Sequence, residues 1–296
     1  MKPVTLHDYK RRMLRVLVHI QQHLDEPLSL DELAQIACFS PFHFHRVFRG
    51  MVGESVKEHI RRLRLERAAV QLKLDGAPVT QIALGAGYAS HEAFTRAFAA
   101  WFGRPPAEFR ALRGLRLPEV ASGLHYRRER VATQFRTLRR RTNMGVQIKK
   151  VEPRRVAFVR HVGPYAEVGR AWDKLMPVMG KEGLVDGNTV CLGVCYDDPE
   201  ITPPAKLRYD ACVTIDEDFS GDGEIGVRII PGGEYAVTTH VGPYTELGKT
   251  YAMLVGQWLP RSGRSLGTTP CYEVYLNSPE STAPEDLITD IYAPLV

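Results

Sequence analysis

Two groups of side chains in this sequence have the types and spacing for recognition chemistry. In the first, Phe42, His43, His45, Arg46 and Arg49 recur in part fifty residues on as His91, Glu92, Thr95 and Arg96. Presented by a helix, such residues can read base edges: arginine bonds guanine O6 and N7, glutamate accepts from cytosine N4, and aromatic or methyl groups touch thymine. A lone arginine on a polar helix face is usually only solvated, but Arg46 recurs as Arg96 inside a repeated pattern, which favours contact with double-stranded DNA. In the second group, Glu273 stands mid-strand in Cys271-Tyr272-Glu273-Val274-Tyr275-Leu276. Alternation puts Cys271, Glu273 and Tyr275 on one face and Tyr272, Val274 and Leu276 on the other, the latter expected to pack on helices. A carboxylate among aromatic rings is costly unless compensated. A cationic or hydrogen-bond-donating ligand would compensate it, and aromatic walls would add cation–π attraction. The bland reading, a solvent-facing glutamate on a one-sided sheet, is slightly favoured by the strand pattern alone.

Other reactive residue types carry less. His161 and His240 sit in two copies of the string HVGPY, but no Asp or Cys stands at ligand spacing, so a structural role in a turn is expected rather than a metal or catalytic one. Trp172 and Trp258 fall at helical core spacing. The five cysteines form no CxxC pair and are odd in number, which points to reduced thiols in a cytoplasm; Cys191 and Cys195 share a strand face but lie too far apart for an easy disulfide. No cofactor, metal site or catalytic group is expected.

Helices must position the first group. Residues 1–112 read as successive amphipathic helices, with Ser29 and Glu32 spaced as a capping box and Ser40 capping a helix that has Pro41 at its first position. A long helix from about Glu54 to Leu74 follows, and the pattern returns. Leu33-Ala34 matches Ile82-Ala83, Phe39 matches Tyr88, Phe44-x-Arg46-x-Phe48 matches Phe94-x-Arg96-x-Phe98, and Gly53 matches Gly103. Two helix-turn-helix units joined by about 30 Å of helix would reach successive major grooves, which lie about 34 Å apart on one face of B-DNA.

The charge distribution agrees. Residues 1–143 hold 25 Lys+Arg against 13 Asp+Glu, a balance of +12, while residues 144–296 hold 14 against 21, a balance of −7. A polyanion partner is thus expected for the first half alone. Between about 113 and 144 the periodicity fades and arginines gather at Arg127-Arg128, Arg130, Arg136 and Arg139-Arg140-Arg141; a solvated linker and a set of supplementary phosphate contacts fit equally. No apolar run is long enough to span a bilayer, and no secretory h-region is present.

From 145 to 296 strands and helices mix. Each HVGPY follows an alternating strand and precedes a helix: Val168, Trp172, Leu175 and Met179 in one copy match Leu247, Tyr251, Leu254 and Trp258 in the other, at an offset of 79. Two strands follow each helix. The expected organisation is strand–helix–strand–strand, twice, a pseudo-two-fold α/β sandwich with a cleft between repeats.

Two family resemblances follow from these residues. Leu30 to Arg110 resembles the AraC/XylS DNA-binding domain, through Ile82-Ala83, Gly87-Tyr88-Ala89-Ser90, Phe94-Thr95-Arg96-Ala97-Phe98, Phe102-Gly103-Arg104-Pro105-Pro106 and Phe109-Arg110. That resemblance implies base contacts by Phe42, His45 and Arg46 in the first unit and by His91, Glu92, Thr95 and Arg96 in the second. Cys38 departs from it, standing where the first turn usually has glycine; a small buried residue is expected there. Val146 to Val296 resembles the GyrI-like effector-binding domain through the doubled HVGPY and the Tyr-Glu-Val-Tyr-Leu strand. There a Glu in this strand lines the ligand pocket, which implies that role for Glu273, with Tyr275, Tyr165 and Tyr244 as aromatic lining. The domain order is similar to the Rob-like branch of AraC regulators. The implied protein is a multidomain transcription regulator, an all-α tandem helix-turn-helix domain followed by an α+β GyrI-like domain of duplicated β-α-β-β units. Its implied partners are DNA, a small apolar or cationic effector and, in regulation, RNA polymerase. The alternatives for the second domain are a hydrolase acting on small electrophilic compounds, with Glu273 activating water, and a protein-interaction module.

Overall fold

The computed structural model describes residues 6–128, 134, 135, 137, 145–216 and 219–296. They fall into two compact units dividing near residue 140.

The first unit is helical. Helix α1 (Leu6–Gln22) buries Tyr9, Met13, Val16, Leu17 and Ile20 on one stripe. Helices α2 (Leu30–Ala37) and α3 (Pro41–Val52) form the first helix-turn-helix, and α5 (Val79–Gly85) and α6 (His91–Phe102) form the second. Helix α4 (Val56–Leu74) joins them, and α7 (Pro106–Ala111) closes the second unit. Ser29 accepts a hydrogen bond from the Glu32 N–H at 3.1 Å, but the Glu32 carboxylate turns to His19, so only half the expected capping box forms. The complete box is at Ser55 and Glu58, at the start of α4. Leu65, Ala68, Ala69 and Leu72 of α4 pack with Ile82, Ala83, Phe94, Phe98 and Phe109 to make the second unit's core.

The two turns differ. Gly87 has φ of 82°, whereas Cys38 holds the equivalent left-handed conformation at φ 55°. A side chain there costs about 1–2 kcal/mol relative to the right-handed backbone. Contrary to expectation Cys38 is exposed, its carbonyl accepting from Arg12 and its Sγ lying 3.8 Å from the Arg15 guanidinium.

Residues following α7 are also docked. Ser122 and Leu124 are buried; the Leu124 carbonyl accepts from Arg62, and the Tyr126 N–H donates to Glu66. Within the stretch for which a solvated linker and phosphate contacts fit equally, residues 122–126 pack on α4. Arg127 and Arg128 are exposed; Arg130, Arg136 and Arg139 to Arg141 lie outside the described residues.

The second unit is built on one eight-stranded sheet, antiparallel at each pairing: β1 (Gln147–Val151), β2 (Arg154–Val162), β3 (Cys191–Cys195), β4 (Arg208–Thr214), β5 (Gly226–Ile230), β6 (Gly233–Val241), β7 (Cys271–Tyr275) and β8 (Ile288–Pro294). The order is β1-β6-β8-β7-β3-β4-β2-β5. The duplication holds, with α8 (Gly169–Lys181) in the first repeat; in the second, α9 (Leu247–Met253) runs through a π-turn at Leu254–Trp258 into α10 (Leu259–Ser262). Each repeat gains a leading strand that the sequence pattern had not revealed, β1 and β5. Each pairs with the other repeat's long strand, β1 with β6 and β5 with β2. Only two residues join β5 to β6 and β1 to β2, although each pair stands near opposite ends of the strand order. Strand ends joined by two residues lie within about 11 Å of each other, so the sheet must curl until its ends approach. The two repeats thus share one continuous sheet rather than forming a sandwich.

The curl gives the sheet two different faces. Inside lie Val156, Leu192, Val194, Ile230, Tyr235, Tyr272, Val274 and Tyr292. On the outer face, Val159, Cys195, Tyr209, Ala211 and Val213 pack under α8 with Ala171, Leu175 and Met179.

Candidate functional sites

In each helix-turn-helix the second helix starts at a serine cap: Ser40 accepts from the His43 N–H at 3.3 Å, and Ser90 from the Ala93 N–H at 3.1 Å. Phe44 and Phe48, and Phe94 and Phe98, form the buried stripe of each. The opposite faces are unequal. On α6, His91, Glu92 and Arg96 are exposed, and Thr95 is half-buried with its hydroxyl unpartnered. Hydrogen bonds from its own backbone N–H and from Ser90 keep the Glu92 carboxyl below the usual range. On α3, His45 and Arg46 are only 3% and 7% exposed, and the Arg46 guanidinium stacks 4.0 Å over the half-buried Phe42 ring. His43 lies in an aromatic cluster, 4.5 Å from the Phe39 ring and 6.2 Å from Tyr9. Burial, reinforced by Arg46 and Arg12, pushes the His43 pKa down to about 4, so its ring is neutral at pH 7. Arg49 is half-buried. Periodicity alone had put this whole set on an open face; the close approach of the rings to α1 and the Arg46–Phe42 stack bury part of it.

In the second unit Glu273 lies on the outer face, beneath the helices, the reverse of the expected assignment. Tyr272 and Val274 face the interior of the curl instead, and Leu276 is exposed. Glu273 is 5% exposed. Its Oε1 accepts from the Tyr251 hydroxyl at 3.1 Å and from the Cys195 thiol at 3.4 Å, and its Oε2 accepts from the Tyr275 hydroxyl at 3.0 Å. The chain of contacts continues: the Tyr275 and Tyr209 hydroxyls are 2.9 Å apart, and the Trp172 indole N–H donates to Tyr209 at 3.2 Å. Burial raises the pKa of Tyr209 and Tyr275 well above the ordinary phenol value, so both remain donors. The two rings lie over Gly193, where a Cβ would come within 2.5 Å of Tyr209 and 2.4 Å of the Tyr275 hydroxyl.

Of the expected lining, Tyr275 touches the carboxylate, and Tyr244, partly exposed, packs edge-on against Tyr275 at 5.5 Å. Tyr165 reaches only the Tyr209 ring, at 6.2 Å, and its hydroxyl donates to the Asp197 carbonyl. Sequence reasoning missed Tyr209, Tyr251, Cys195 and Gly193 and read Trp172 as core. A signal existed for three of them: Trp172 and Tyr251 are equivalent under the repeat and reach toward the same patch, and Gly193 is the repeat equivalent of Glu273.

Both repeated histidines bond within their own strand-to-helix turns. His161 Nε2 lies 3.1 Å from the Pro164 carbonyl and His240 Nε2 lies 3.3 Å from that of Pro243. Gly163 (φ 149°) lets the His161 ring fold back, a Cβ there falling 3.1 Å from Nε2. Among the described residues no group of three His, Cys, Asp or Glu is placed to hold a metal, and no helix is long and apolar enough to cross a membrane.

A tandem helix-turn-helix unit followed by a duplicated curled sheet with a buried carboxylate among tyrosines defines an AraC-type helix-turn-helix domain joined to a GyrI-like domain. The chain belongs to the AraC/XylS family through the first and to the GyrI-like family through the second. Residues 33–112 match the helix-turn-helix domain family, and residues 144–296 match the GyrI-like small molecule binding domain family. The right origin-binding protein of Escherichia coli K12 is 40% identical over 95 residues, 32% of this chain and 33% of its own length. This chain therefore spans about a third of that relative. The regulatory protein SoxS of Salmonella typhimurium is 34% identical over 34% of this chain and 94% of its own. A DNA gyrase inhibitor of Yersinia enterocolitica is 31% identical over 50% of this chain and 96% of its own.

Proposed function

We propose that this regulator reads two adjacent major grooves through α3 and α6, and that the GyrI-like domain binds a small apolar or cationic compound at Glu273. Base contacts are assigned to Phe42, His43, His45, Arg46 and Arg49 in the first unit and to His91, Glu92, Thr95 and Arg96 in the second. The exposed, serine-capped face of α6 supports direct readout most strongly; the first unit must present Arg46 by releasing it from Phe42. The observation that carries ligand binding is the buried Glu273 carboxylate held by two phenols and a thiol. These donors are uncharged, so a cation brought among the rings would gain both Coulombic and cation–π attraction. The same commitment of lone pairs to fixed donors suits recognition better than general-base work on water.

Selection of bound duplexes from a random library at fixed salt tests the DNA half. A bipartite motif with halves about one helical turn apart is expected, each weakened by its own arginine variant, Arg46→Ala or Arg96→Ala. Salt-sensitive binding with no motif would reduce the unit to a generic DNA anchor. For the second domain, a lipophilic quaternary cation such as tetraphenylphosphonium should raise the melting temperature of the wild type and not that of Glu273→Gln.

A further inference from the structure

The two helix-turn-helix units meet chiefly through α4: α3 packs on one end of it, and α5 and α7 on the other. Two arginines of α4 cross this division. Arg67, 8% exposed, forms an ion pair with Asp25 at 2.8 Å and donates to the Gly85 carbonyl at 2.7 Å. Asp25 belongs to the loop between α1 and α2 of the first unit; Gly85 is the last residue of α5 in the second. Arg64, one turn earlier, donates to the carbonyls of Leu24 and Glu26, each at 2.9 Å. Its guanidinium lies under the second unit's turn, 3.0 Å from where a Cβ on Gly87 would stand. Both planar forks thus donate to backbone carbonyls, Arg64 to two in the loop after α1 and Arg67 to one at the end of α5.

From this geometry we infer that Arg64 and Arg67 form a brace that clasps the 24–26 loop of the first unit to the 85–87 turn of the second and sets the angle between α3 and α6. The inference rests on the two-groove reading for its consequence: the brace fixes the spacing between half-sites that the protein accepts. Neither arginine would touch a base, so each acts as a positioning residue. α4 sets the distance between units, and the clasp adds a second attachment, apart from the α3–α4 contact, that resists rotation of one unit against the other.

The test uses the full chain with Asp25→Asn, Arg67→Gln and the double variant. Asp25 is 80% exposed at its side chain, so its replacement spares the core and keeps the fold intact. Against a library in which the spacer between half-sites varies, the wild type is expected to favour one spacing, and each variant to lose about fivefold to tenfold of that preference. The double variant should lose no more than the worse single one, while affinity for each isolated half-site stays constant. Identical spacing preference in all three folded variants overturns the brace. Spin labels at Gln35→Cys and Ala100→Cys in a Cys38→Gly background give a second reading, in the free protein: the distance distribution between α2 and α6 should broaden in Arg67→Gln, and an unchanged width also overturns the brace. A wild type that selects no bipartite site sinks the two-groove reading, and the distance measurement then decides the brace by itself.

Discussion

Gly193 faces Glu273 directly across the β3–β7 ladder, and the two are also equivalent positions of the internal repeat, eighty residues apart. The pseudo-dyad therefore passes between them. One copy supplies the carboxylate and the other supplies room, which Tyr209 and Tyr275 fill. On this basis Gly193→Ala should push both rings off their hydrogen bonds and cost about 1–3 kcal/mol by overpacking. For a unit of this size that is about 2–4 °C of melting temperature per kcal/mol. An unchanged melting temperature would show that the tyrosines can move aside freely.

Glu273→Gln keeps shape and removes charge. Affinity for a lipophilic cation should fall by about tenfold or more, with little change in affinity for a neutral analogue of the same size. Equal losses for both, measured by calorimetry, would mean that the pocket selects shape alone.

The arginines of the two recognition helices should respond differently. Arg96→Ala removes an exposed group and is expected to weaken binding to the cognate duplex by about 1–3 kcal/mol with no change in melting temperature. Arg46→Ala also strips the Phe42 ring of its stacked partner and should lower stability by about 1 kcal/mol. Denaturant titration beside binding isotherms separates the two effects.

Arg127→Ala with Arg128→Ala tests the flanking basic segment. Each phosphate contact contributes about 0.9 to the slope of log K against log salt, so the pair should flatten that slope by about 2 and leave the selected sequence unaltered. A constant slope removes these residues from the DNA contact.

Acid should destabilise the helical unit in two stages. The His43 pKa is depressed to about 4 in the fold and near 6.5 when unfolded, so the unfolded chain binds the proton first; stability is full above about pH 6.5 and falls toward pH 4, by at most about 3 kcal/mol. His59, lowered chiefly by burial, has the same sign. For Glu54, burial would raise the pKa, but hydrogen bonds from His59 and Arg62 outweigh it and hold it at about 2, so its contribution is lost below about pH 4.5. Urea midpoints across this range should drop below pH 6.5, and the first stage should shrink in His43→Phe.

Much of this is legible in the sequence. The Phe44/Phe48 and Phe94/Phe98 stripes, the serine caps and the doubled HVGPY depend on local periodicity, and they form as expected. What failed had a tertiary cause. β1 and β5 are partly exposed edges without clean alternation. Tyr272 and Glu273 were given the wrong faces because a curled sheet is apolar inside and covered by helices outside, so hydrophobicity does not tell the two apart. The hydrogen-bond network around Glu273 gathers side chains from β3, β4, β7, α8 and α9, and no local pattern records that convergence. Aligning the repeats recovers part of it, pairing Trp172 with Tyr251 at an offset of 79 and Gly193 with Glu273 at an offset of eighty.

The exchange of β1 and β5 between repeats has an architectural consequence. Neither repeat is a closed object, since each lends an edge strand to the other and borrows one back. Duplication here yields an interlocked pair, like two hands clasped by the fingers, rather than beads on a string. Separating either repeat from the other would break the β1–β6 and β5–β2 ladders together with the central β3–β7 seam.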